Sequence, residues 1–345
     1  MPSPAELTVD LSALAANFRT LEAIGGVPVH PVVKADSYGL GAVPCARRLM
    51  AEGARTFFIA RASEGEALRG ALGPEPIIYV LDGCAAGRAG RLRAAQLRPV
   101  INTAAQLSEW REAGGGPCGL QIDTGMNRLG FRPDEAPEAF EGLELVLSHL
   151  ACADDPADPM NARQRDAFAA AAARYPGAVR SFANSGGAFL GPDYAFDALR
   201  PGICLYGGGP EGRPDARIRP VATLTAEVLQ VREVPVGETV GYSRTFTAAR
   251  PSRIATCAAG YADGVLRSYS PEGRAVVAGE LRPLVGRISM DACAVDATGL
   301  DIAVGDRIEL FGANRMLDDA AAAAGTIAYE LLSAITGRVP RVYRN

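Results

Sequence analysis

The sequence contains little lysine and little histidine, and each scarcity narrows the possible functions. Lysine and arginine together number 35 against 39 aspartates and glutamates, which gives a net charge of −4, and lysine is scarce beside arginine. A chain without an excess of basic residues has no electrostatic footprint for nucleic acid. The only histidines are His30 and His149, so histidine chemistry has few possible positions. We therefore expect small charged metabolites as partners.

The cysteines are odd in number and include no Cys-x-x-Cys pair. They are Cys45, Cys84, Cys118, Cys152, Cys204, Cys257 and Cys293. This pattern predicts reduced, mostly buried thiols in a cytosolic protein rather than disulfides or a metal site. No apolar run approaches roughly 18 residues, and the first residues lack the charged and apolar segments of a signal peptide. We therefore expect neither export nor membrane insertion.

Short β-type runs alternate with alanine-rich helical segments through about the first 210 residues. The predicted strands are 29–33, 57–60, 77–81, 100–102, 120–123, 145–149, 179–183 and 196–200. Eight such units predict a closed (β/α)8 TIM barrel rather than an open doubly wound sheet, because no GxGxxG motif follows the first strand. Before that strand, Asp10 is predicted to cap a helix that ends at Gly25 and Gly26.

The pattern changes near residue 215. Strand-like runs at 224–234, 253–259, 275–278, 281–285, 292–295 and 307–310 are separated by turns, and one helix is predicted at 318–336. The sequence therefore predicts two domains, a (β/α)8 barrel over 1–218 and a mainly β domain over 219–345.

One lysine lies where a predicted strand becomes a loop. In PVHPVVKADSYGLG, a β-branched run stops at Lys34, and Gly39 and Gly41 follow. Lys34 is thus predicted at the carboxyl end of a parallel strand, where α/β folds keep their chemistry. It could be a Schiff-base nucleophile, a phosphate ligand or a solvated charge at the rim. Lysine suits imine chemistry because burial lowers its pKa and the neutral amine is the nucleophile.

Later strand ends carry further candidate groups. Arg128 follows the fifth strand, where an ion pair with Asp123 is the structural alternative to a ligand role. His149 ends the sixth strand and is a candidate functional residue, whereas His30 is predicted to be a satisfied core or rim residue. The loops Asn184-Ser185-Gly186-Gly187 and Arg200-Pro201-Gly202-Ile203 follow strands seven and eight, the usual phosphate site of such barrels, although glycine-rich turns alone are weak evidence.

Two turns of the β domain remain ambiguous from the pattern alone. GYADG contains Tyr261, and GRISMD contains Met290 and Asp291. Both read as ordinary turns. Tyr261 could also act as an acid or base if a cation lowered its pKa from about 10.

With these pieces in view, the sequence resembles the alanine racemases, bacterial pyridoxal-phosphate enzymes of fold type III. The blocks VVKADSYGLG, IDTGMNRLG, SHLACAD, FANSGG, RPGICLYG, GYADG, VGRISMD and AYELL with RVPRVY occur in the order of that family, from about Val9 to Arg341. The resemblance implies a barrel followed by a β domain, the cofactor pyridoxal 5'-phosphate, and a homodimer with shared active sites.

The resemblance also implies residue roles. Lys34 corresponds to the lysine that binds the cofactor covalently, and Lys34 and Tyr261 correspond to the two catalytic bases. The other cofactor-binding positions are Tyr38, His149, Asn184, Ser185, Arg200, Gly202 and Ile203, with Arg200 facing the pyridine nitrogen and His149 beside it. The substrate-binding positions are Arg128, Met290 and Asp291. In the family, Tyr261, Met290 and Asp291 come from the partner subunit.

Physical chemistry agrees with these roles. Racemisation removes a proton from one face of Cα and returns one to the other, so two bases on opposite faces are the natural design. Arginine keeps its proton at working pH, so Arg200 would leave the pyridine nitrogen unprotonated and favour reprotonation at Cα over transamination.

Two positions depart from the family pattern. Gln121 stands where many members carry a carbamylated lysine, so we expect Arg128 to pair with Gln121 or with a bound anion such as chloride. Gly337 stands where some members place a phosphate-binding tyrosine, which predicts one phosphate ligand fewer.

We therefore predict a cytoplasmic, homodimeric alanine racemase that supplies D-alanine for peptidoglycan. A racemase of broader range, acting on serine or basic amino acids, is the nearest alternative. A non-catalytic pyridoxal-phosphate carrier would consist of the barrel alone. A decarboxylase would share the two-domain plan, and a sugar-phosphate enzyme would leave Lys34 without a Schiff base.

Overall fold

The computed structural model describes residues 3–345, and these fall into two units. The barrel unit comprises 15–37 and 41–205, and the β unit comprises the described residues up to 14, 38–40 and 206–345. The helices are Leu11–Gly25, Ala42–Ala51, Ala62–Leu72, Ala89–Ala94, Ala104–Glu112, Met160–Ala172, Leu317–Ala323 and Ala328–Ser333.

The strands divide between the same two units. In chain order they are β1 Ala5–Asp10, β2 Thr56–Ile59, β3 Ile77–Val80, β4 Arg98–Ile101, β5 Cys118–Gln121, β6 Leu143–Leu147, β7 Val179–Ser181, β8 Ala222–Val234, β9 Thr239–Val240, β10 Phe246–Thr247, β11 Ser252–Cys257, β12 Arg274–Val277, β13 Glu280–Pro283, β14 Cys293–Asp296, β15 Arg307–Phe311 and β16 Arg341–Arg344.

The barrel unit is built on a parallel sheet in which β2 to β7 are neighbours in chain order. Two short extended segments complete the ring through isolated parallel bridges. Val29 bridges to Leu199, Val32 bridges to Phe58, and Ser181 bridges to Ala198. The His30 N–H donates to the Leu199 carbonyl over 2.9 Å, which ties the first segment to the last.

The predicted fold class is confirmed. The predicted strands coincide with β2 to β7, and the predicted first and eighth strands are the two bridging segments. β2 and β5 are buried along their whole length, as expected for parallel strands covered on both faces. Asp10 Oδ1 accepts a hydrogen bond from the Ala13 N–H over 2.8 Å, so it caps the first helix as predicted.

The β unit contains a sheet in the order β13-β12-β15-β8-β1-β16, with β11 pairing both β8 and β14. The long strand β8 organises it, because β1, β15 and β11 all pair with β8 in antiparallel fashion. Each strand predicted between 224 and 310 is present.

Five elements of the β unit differ from the expectation, among them the unpredicted two-residue strands β9 and β10. β1 was not predicted, although Ala5, Leu7 and Val9 alternate as buried residues with more exposed ones. β16, which pairs in parallel with β1, was not predicted either. The helix predicted over 318–336 is two short helices, because Gly325 adopts φ 69° and ends the first of them. The proposed boundary between 218 and 219 stays a prediction.

Residues 3–345 contain neither a membrane-spanning helix nor a metal-ligand cluster. Among residues 3–345, no helix is long and apolar enough to cross a membrane. Within the same range, no group of three or more metal-ligating side chains is close enough together to hold an ion.

Candidate active site

A left-handed helical turn follows Lys34. Ala35, Asp36 and Ser37 have φ of 50°, 55° and 54°, and Tyr38 has φ 57°. In this conformation Cβ approaches the following carbonyl oxygen, which costs about 1–2 kcal/mol per residue. The sequence predicts a glycine-bearing loop here. The two glycines do follow, but the turn itself is built from residues that carry side chains. Such strain persists only where surrounding contacts hold it.

Backbone and side-chain contacts on both sides hold this turn. The Ser37 N–H donates to the Val33 carbonyl over 3.0 Å, which anchors the turn to the strand before it. Asp36 accepts from two residues after it, its carbonyl from the Gly41 N–H over 2.8 Å and its Oδ1 from the Ala42 N–H over 2.6 Å. The backbone that carries Lys34 is therefore fixed.

The Lys34 amine is half-buried in the barrel unit and has no ion pair or hydrogen bond among residues 3–345. Burial lowers its pKa below the ordinary 10.5, the Arg128 cation lowers it further, and the Glu64 carboxylate opposes this. Arg200 also lowers the pKa of Lys34 and Asp82 raises it, each more weakly than Arg128 and Glu64 do. A lysine with a lowered pKa supplies more of the neutral amine at working pH.

Arg200 is buried, with 3% of its surface exposed, and it is the donor in each of its hydrogen bonds. Nη1 donates to the Ser181 carbonyl over 3.1 Å and to Ser181 Oγ over 2.8 Å. Nη2 donates to the Ser148 carbonyl over 2.5 Å and reaches His149 Nδ1 over 3.3 Å. Burial, with a smaller effect of Arg128, lowers the pKa of Arg200 to about 10, so it keeps its charge at neutral pH.

The contact between Arg200 and His149 fixes the histidine tautomer. Arginine has no acceptor atom, so His149 Nδ1 must accept and the ring proton must lie on Nε2. Burial, followed by the Arg200 and Arg128 cations and Lys34, holds the pKa of His149 well below its ordinary value. The imidazole is therefore neutral and presents Nε2–H as a donor. Arg200 and His149, which the resemblance places side by side, lie together.

Ser185 lies at the centre of the predicted phosphate site. Its hydroxyl is buried and accepts the N–H groups of Gly202 over 2.9 Å and Cys204 over 3.2 Å. Ile203 lies between these residues and begins a short 3-10 turn. Asn184 Oδ1 instead accepts the Gly187 N–H over 2.9 Å, so it shapes the neighbouring turn. The barrel thus brings the predicted phosphate-binding residues of strands seven and eight together.

The expected contact between Arg128 and Gln121 is absent from the described part of the chain. Gln121 Nε2 donates to the Leu129 carbonyl over 3.0 Å, so its amide holds the loop rather than the guanidinium. The alternative ion pair with Asp123 is absent too, because Asp123 Oδ1 accepts the N–H groups of Gly125 and Met126, each over 2.9 Å. Arg128 is exposed. A bound anion therefore remains the predicted partner for it.

The remaining predicted site residues lie together in the β unit. The Tyr261 N–H donates to the Ser289 carbonyl over 3.1 Å, and the Ala262 N–H donates to the Met290 carbonyl over 2.9 Å. A Cβ on Gly260 would lie 2.3 Å from the Met290 carbonyl oxygen, so these two loops can meet only because Gly260 has no side chain. Tyr261 and Met290 are 43% and 53% exposed.

A single arginine ties both loops to the end of the chain. Arg338 Nε lies 3.2 Å from Asp263 Oδ1, and its Nη1 donates to Asp291 Oδ1 over 2.8 Å. Asp263 Oδ2 in turn accepts the Gly260 N–H over 2.9 Å. The predicted substrate-binding Asp291 is thus held by an ion pair with Arg338.

Tyr38 also belongs to the β unit, where its ring packs against two other tyrosines. The Tyr38 ring centroid lies 4.9 Å from that of Tyr206 and 5.7 Å from that of Tyr329. Tyr329 lies in the AYELL block and is 39% exposed.

His30 does not match its prediction fully. Its backbone N–H is satisfied within the barrel, but Nδ1 is buried and has no hydrogen-bond partner among residues 3–345. Burial, and then the Arg200 cation, lower the pKa of His30 to about 4. His30 is therefore a neutral barrel residue rather than a satisfied one.

Comparison with known families identifies the family of the chain. The alanine racemase N-terminal domain model matches residues 9–210, and the alanine racemase C-terminal domain model matches residues 221–343. The chain belongs to the alanine racemase family. Alanine racemases are pyridoxal-phosphate-dependent isomerases, which agrees with the expected class of enzyme.

Full-length relatives agree with this membership. An alanine racemase of Acidiphilium cryptum is 47% identical over 98% of both chains. The solved alanine racemase of Bartonella henselae with covalently bound pyridoxal phosphate has a TM-score of 0.93 at 37% identity, covering 99% of this chain and all of that one. The biosynthetic alanine racemase of Pseudomonas aeruginosa has a TM-score of 0.93 at 36% identity, covering 100% of both chains.

Proposed function

We propose that the protein interconverts L-alanine and D-alanine, with pyridoxal 5'-phosphate bound covalently to Lys34 and with Lys34 and Tyr261 as the two bases. The observation that carries this proposal is the half-buried Lys34 amine, which is unpaired among residues 3–345 and has a lowered pKa at the carboxyl end of a barrel strand. Full-length similarity to alanine racemases supports the reaction and the substrate.

The residues present fit the cofactor. The Lys34 amine is free to form a Schiff base. The Ser185 hydroxyl hydrogen and the Ile203 N–H are donors of the kind that a phosphate takes, beside the Gly202 N–H, which holds Ser185 Oγ. A Cβ on Gly186 would lie 2.6 Å from the Ala153 carbonyl oxygen, so the turn beside Ser185 admits only glycine. When bound, the cofactor acidifies the Cα–H bond of an amino acid by delocalising the charge left on Cα.

Each base acts on one face of Cα. The Lys34 Nζ atom takes or gives the proton on one face, and the Tyr261 Oη atom does so on the other. Arg200 offers only donors, so it would hold the pyridine nitrogen of the cofactor as an acceptor and would leave that atom unprotonated. His149, held by Arg200 with its proton on Nε2, then donates a hydrogen bond that stabilises a tyrosinate.

Substrate binding is proposed for three residues. The Arg128 guanidinium is a natural partner for the alanine carboxylate, with or without a bound chloride beside it. Met290 and Asp291 are proposed to contact the substrate carboxylate. The ion pair with Arg338 keeps Asp291 in place.

We further propose that the active enzyme is a homodimer in which Tyr261, Met290 and Asp291 serve the partner's Lys34. The exposure of Tyr261 and Met290, 43% and 53%, supports this, because a catalytic tyrosine and an apolar methionine need to be covered to work. A cytoplasmic location and a role in supplying D-alanine for peptidoglycan complete the proposal.

We propose that Tyr38 binds the cofactor phosphate, as the resemblance implies, and that Gly337 leaves the phosphate with one ligand fewer.

The test is chiral analysis of alanine incubated with the cofactor-loaded protein. We expect either pure enantiomer to become a racemic mixture, and serine, lysine and arginine to react more slowly. Borohydride reduction followed by peptide mapping should place the cofactor on Lys34, the only lysine in the sequence. A yellow protein that leaves alanine optically pure would contradict the function while leaving the cofactor site intact.

A further inference from the structure

Glu64 makes contacts that go beyond those of an ordinary helix cap. It is the third residue of the helix Ala62–Leu72, and its Oε2 accepts the N–H groups of Ala60 over 2.8 Å and Arg61 over 3.0 Å. Reaching back to the residue before the helix is the usual role of an acid at this position. Its other oxygen, Oε1, accepts the Ala35 N–H over 2.7 Å, and Ala35 lies on a different strand end.

The carboxylate therefore bridges two neighbouring strand ends of the barrel. Ala60 follows β2, and Ala35 follows Lys34 at the end of the segment that bridges to β2. Ala35 is also the first residue of the left-handed turn, so its N–H is the group that must be held for the turn to begin where it does. Charge-assisted hydrogen bonds to backbone N–H groups are the stronger kind, and here both oxygens of one carboxylate make them.

We propose that Glu64 is a positioning residue for Lys34. Glu64 fixes the start of the left-handed turn, and its negative charge acts on the Lys34 amine. The inference rests on the proposed function in that Lys34 is the reacting lysine. Glu64 does not need to touch the substrate for this role.

The charges around Lys34 agree with this geometry. Arg128 and Arg200 lower the pKa of the amine, whereas Glu64 and the more weakly acting Asp82 raise it. His149, the other titratable neighbour, is neutral. Glu64 is the leading opposing charge, so its removal should shift the Lys34 pKa downward.

The chain offers an unusually clean way to measure this shift. Lys34 is the only lysine in the sequence, so the full chain labelled with 13C-lysine gives one lysine side-chain signal. Titration of that signal in the cofactor-free protein reports the Lys34 pKa directly. The loaded enzyme then gives kcat, KM and the rate at which the cofactor is lost on dialysis.

The main variant is Glu64→Gln, which keeps the shape of the side chain. An amide has one acceptor oxygen and one NH2 donor, so either Ala35 or the Ala60 and Arg61 pair must face a donor. We expect the Lys34 pKa to fall, because the opposing negative charge is gone. We expect kcat to fall at least about tenfold with KM within about twofold, since a misplaced lysine harms the proton transfer more than binding, and cofactor loss to be faster.

Two control variants separate positioning from stability. Glu66→Gln removes a charge from the same helix, where Glu66 pairs with Arg91 at the surface. Thr103→Ala removes the cap of the helix Ala104–Glu112, where Thr103 Oγ1 accepts the Gln106 N–H over 3.2 Å. Both should leave the Lys34 pKa and kcat as in the wild type, and Thr103→Ala should lower Tm.

Three results would overturn the proposal. If Glu64→Gln behaves like Thr103→Ala, with a lower Tm but a normal Lys34 pKa and kcat, Glu64 is only a helix cap. If it lowers the Lys34 pKa but leaves kcat normal, Glu64 is an electrostatic neighbour and not a positioning residue. If Glu64→Gln fails to fold, the same readings are taken on Glu64→Asp, which keeps the charge but shortens the reach to Ala35, and a normal kcat there counts against the proposal.

Failure of the proposed function would look different. In that case the wild-type protein would not racemise alanine, whereas the titration of Lys34 would still show whether Glu64 controls that amine.

Discussion

Replacing Arg200 by lysine tests whether the planar guanidinium of Arg200, rather than its charge, positions the residues at the carboxyl ends of the barrel strands. The guanidinium makes four hydrogen bonds, two to Ser181, one to the Ser148 carbonyl and one to His149 Nδ1. A lysine ammonium is a point donor and cannot reach both the Ser181 and the Ser148 sides at once. At least two charge-assisted hydrogen bonds are therefore lost at a buried position.

The size of the effect follows from these contacts. At about 1.5 kcal/mol or more for each lost hydrogen bond to a charged group, Arg200→Lys should destabilise the fold by about 3 kcal/mol. At roughly 2–4 °C per kcal/mol, Tm should fall by about 6–12 °C. His149 loses the donor that fixes its tautomer, and we expect kcat to fall by about 10-fold to 100-fold, the usual effect of removing such an orienting partner.

The assay combines thermal unfolding of the loaded enzyme with chiral analysis of alanine. Arg180→Lys is the matched control, because Arg180 pairs with Asp197 over 2.7 Å in the same unit but at the surface. Exposed ion pairs contribute about 0–1 kcal/mol, so Tm and kcat should hardly change there. An Arg200→Lys enzyme with the Tm and kcat of the wild type would refute the reasoning.

Three further substitutions test other parts of the site. Ser185→Ala leaves the buried N–H groups of Gly202 and Cys204 without an acceptor, so we expect the free energy of unfolding to fall by about 2 kcal/mol, measured by thermal unfolding. We also expect weaker retention of the cofactor on dialysis. Unchanged retention would count against a phosphate site there. Arg128→Met removes a cation that lowers the Lys34 pKa, so that pKa should rise in the 13C-lysine titration, and a fall would contradict the assignment. Arg338→Ala cuts the link between Asp263 and Asp291, so kcat should fall about tenfold while Arg282→Ala, which breaks a surface pair with Glu280, has no effect; equal kcat values in the two would refute the role of Arg338.

The barrel could be predicted from the sequence because its strands are short apolar runs with clear ends. β1 and β16 could not be recognised as partners in this way. β1 carries the alternating pattern of a half-exposed strand, but β16 is an exposed Arg-Val-Tyr-Arg segment whose strand state depends on pairing with β1 at the other end of the chain. Pairing over such a separation leaves no local trace.

The sequence names the candidate site residues but does not give the contacts that they make. Local preferences argue against a left-handed turn at Ala35–Tyr38, so only the surrounding hydrogen bonds explain it. The pairing of Arg128 with Gln121 failed because a return of the chain, in which the Phe131 N–H donates to the Gln121 carbonyl over 2.9 Å, brings Leu129 to the amide instead. The contact between Arg200 and His149 was implied by the resemblance to the alanine racemases, and the barrel allows it because the ends of its strands meet at one face.

The most direct test of the two-base account is proton exchange by Tyr261→Phe in deuterated water. The account predicts that this variant no longer racemises alanine but still exchanges the Cα proton of one enantiomer, the one that Lys34 serves, as followed by NMR and chiral analysis. The wild type should exchange both enantiomers. Racemisation at the wild-type rate by Tyr261→Phe would contradict the assignment of Tyr261 as the second base.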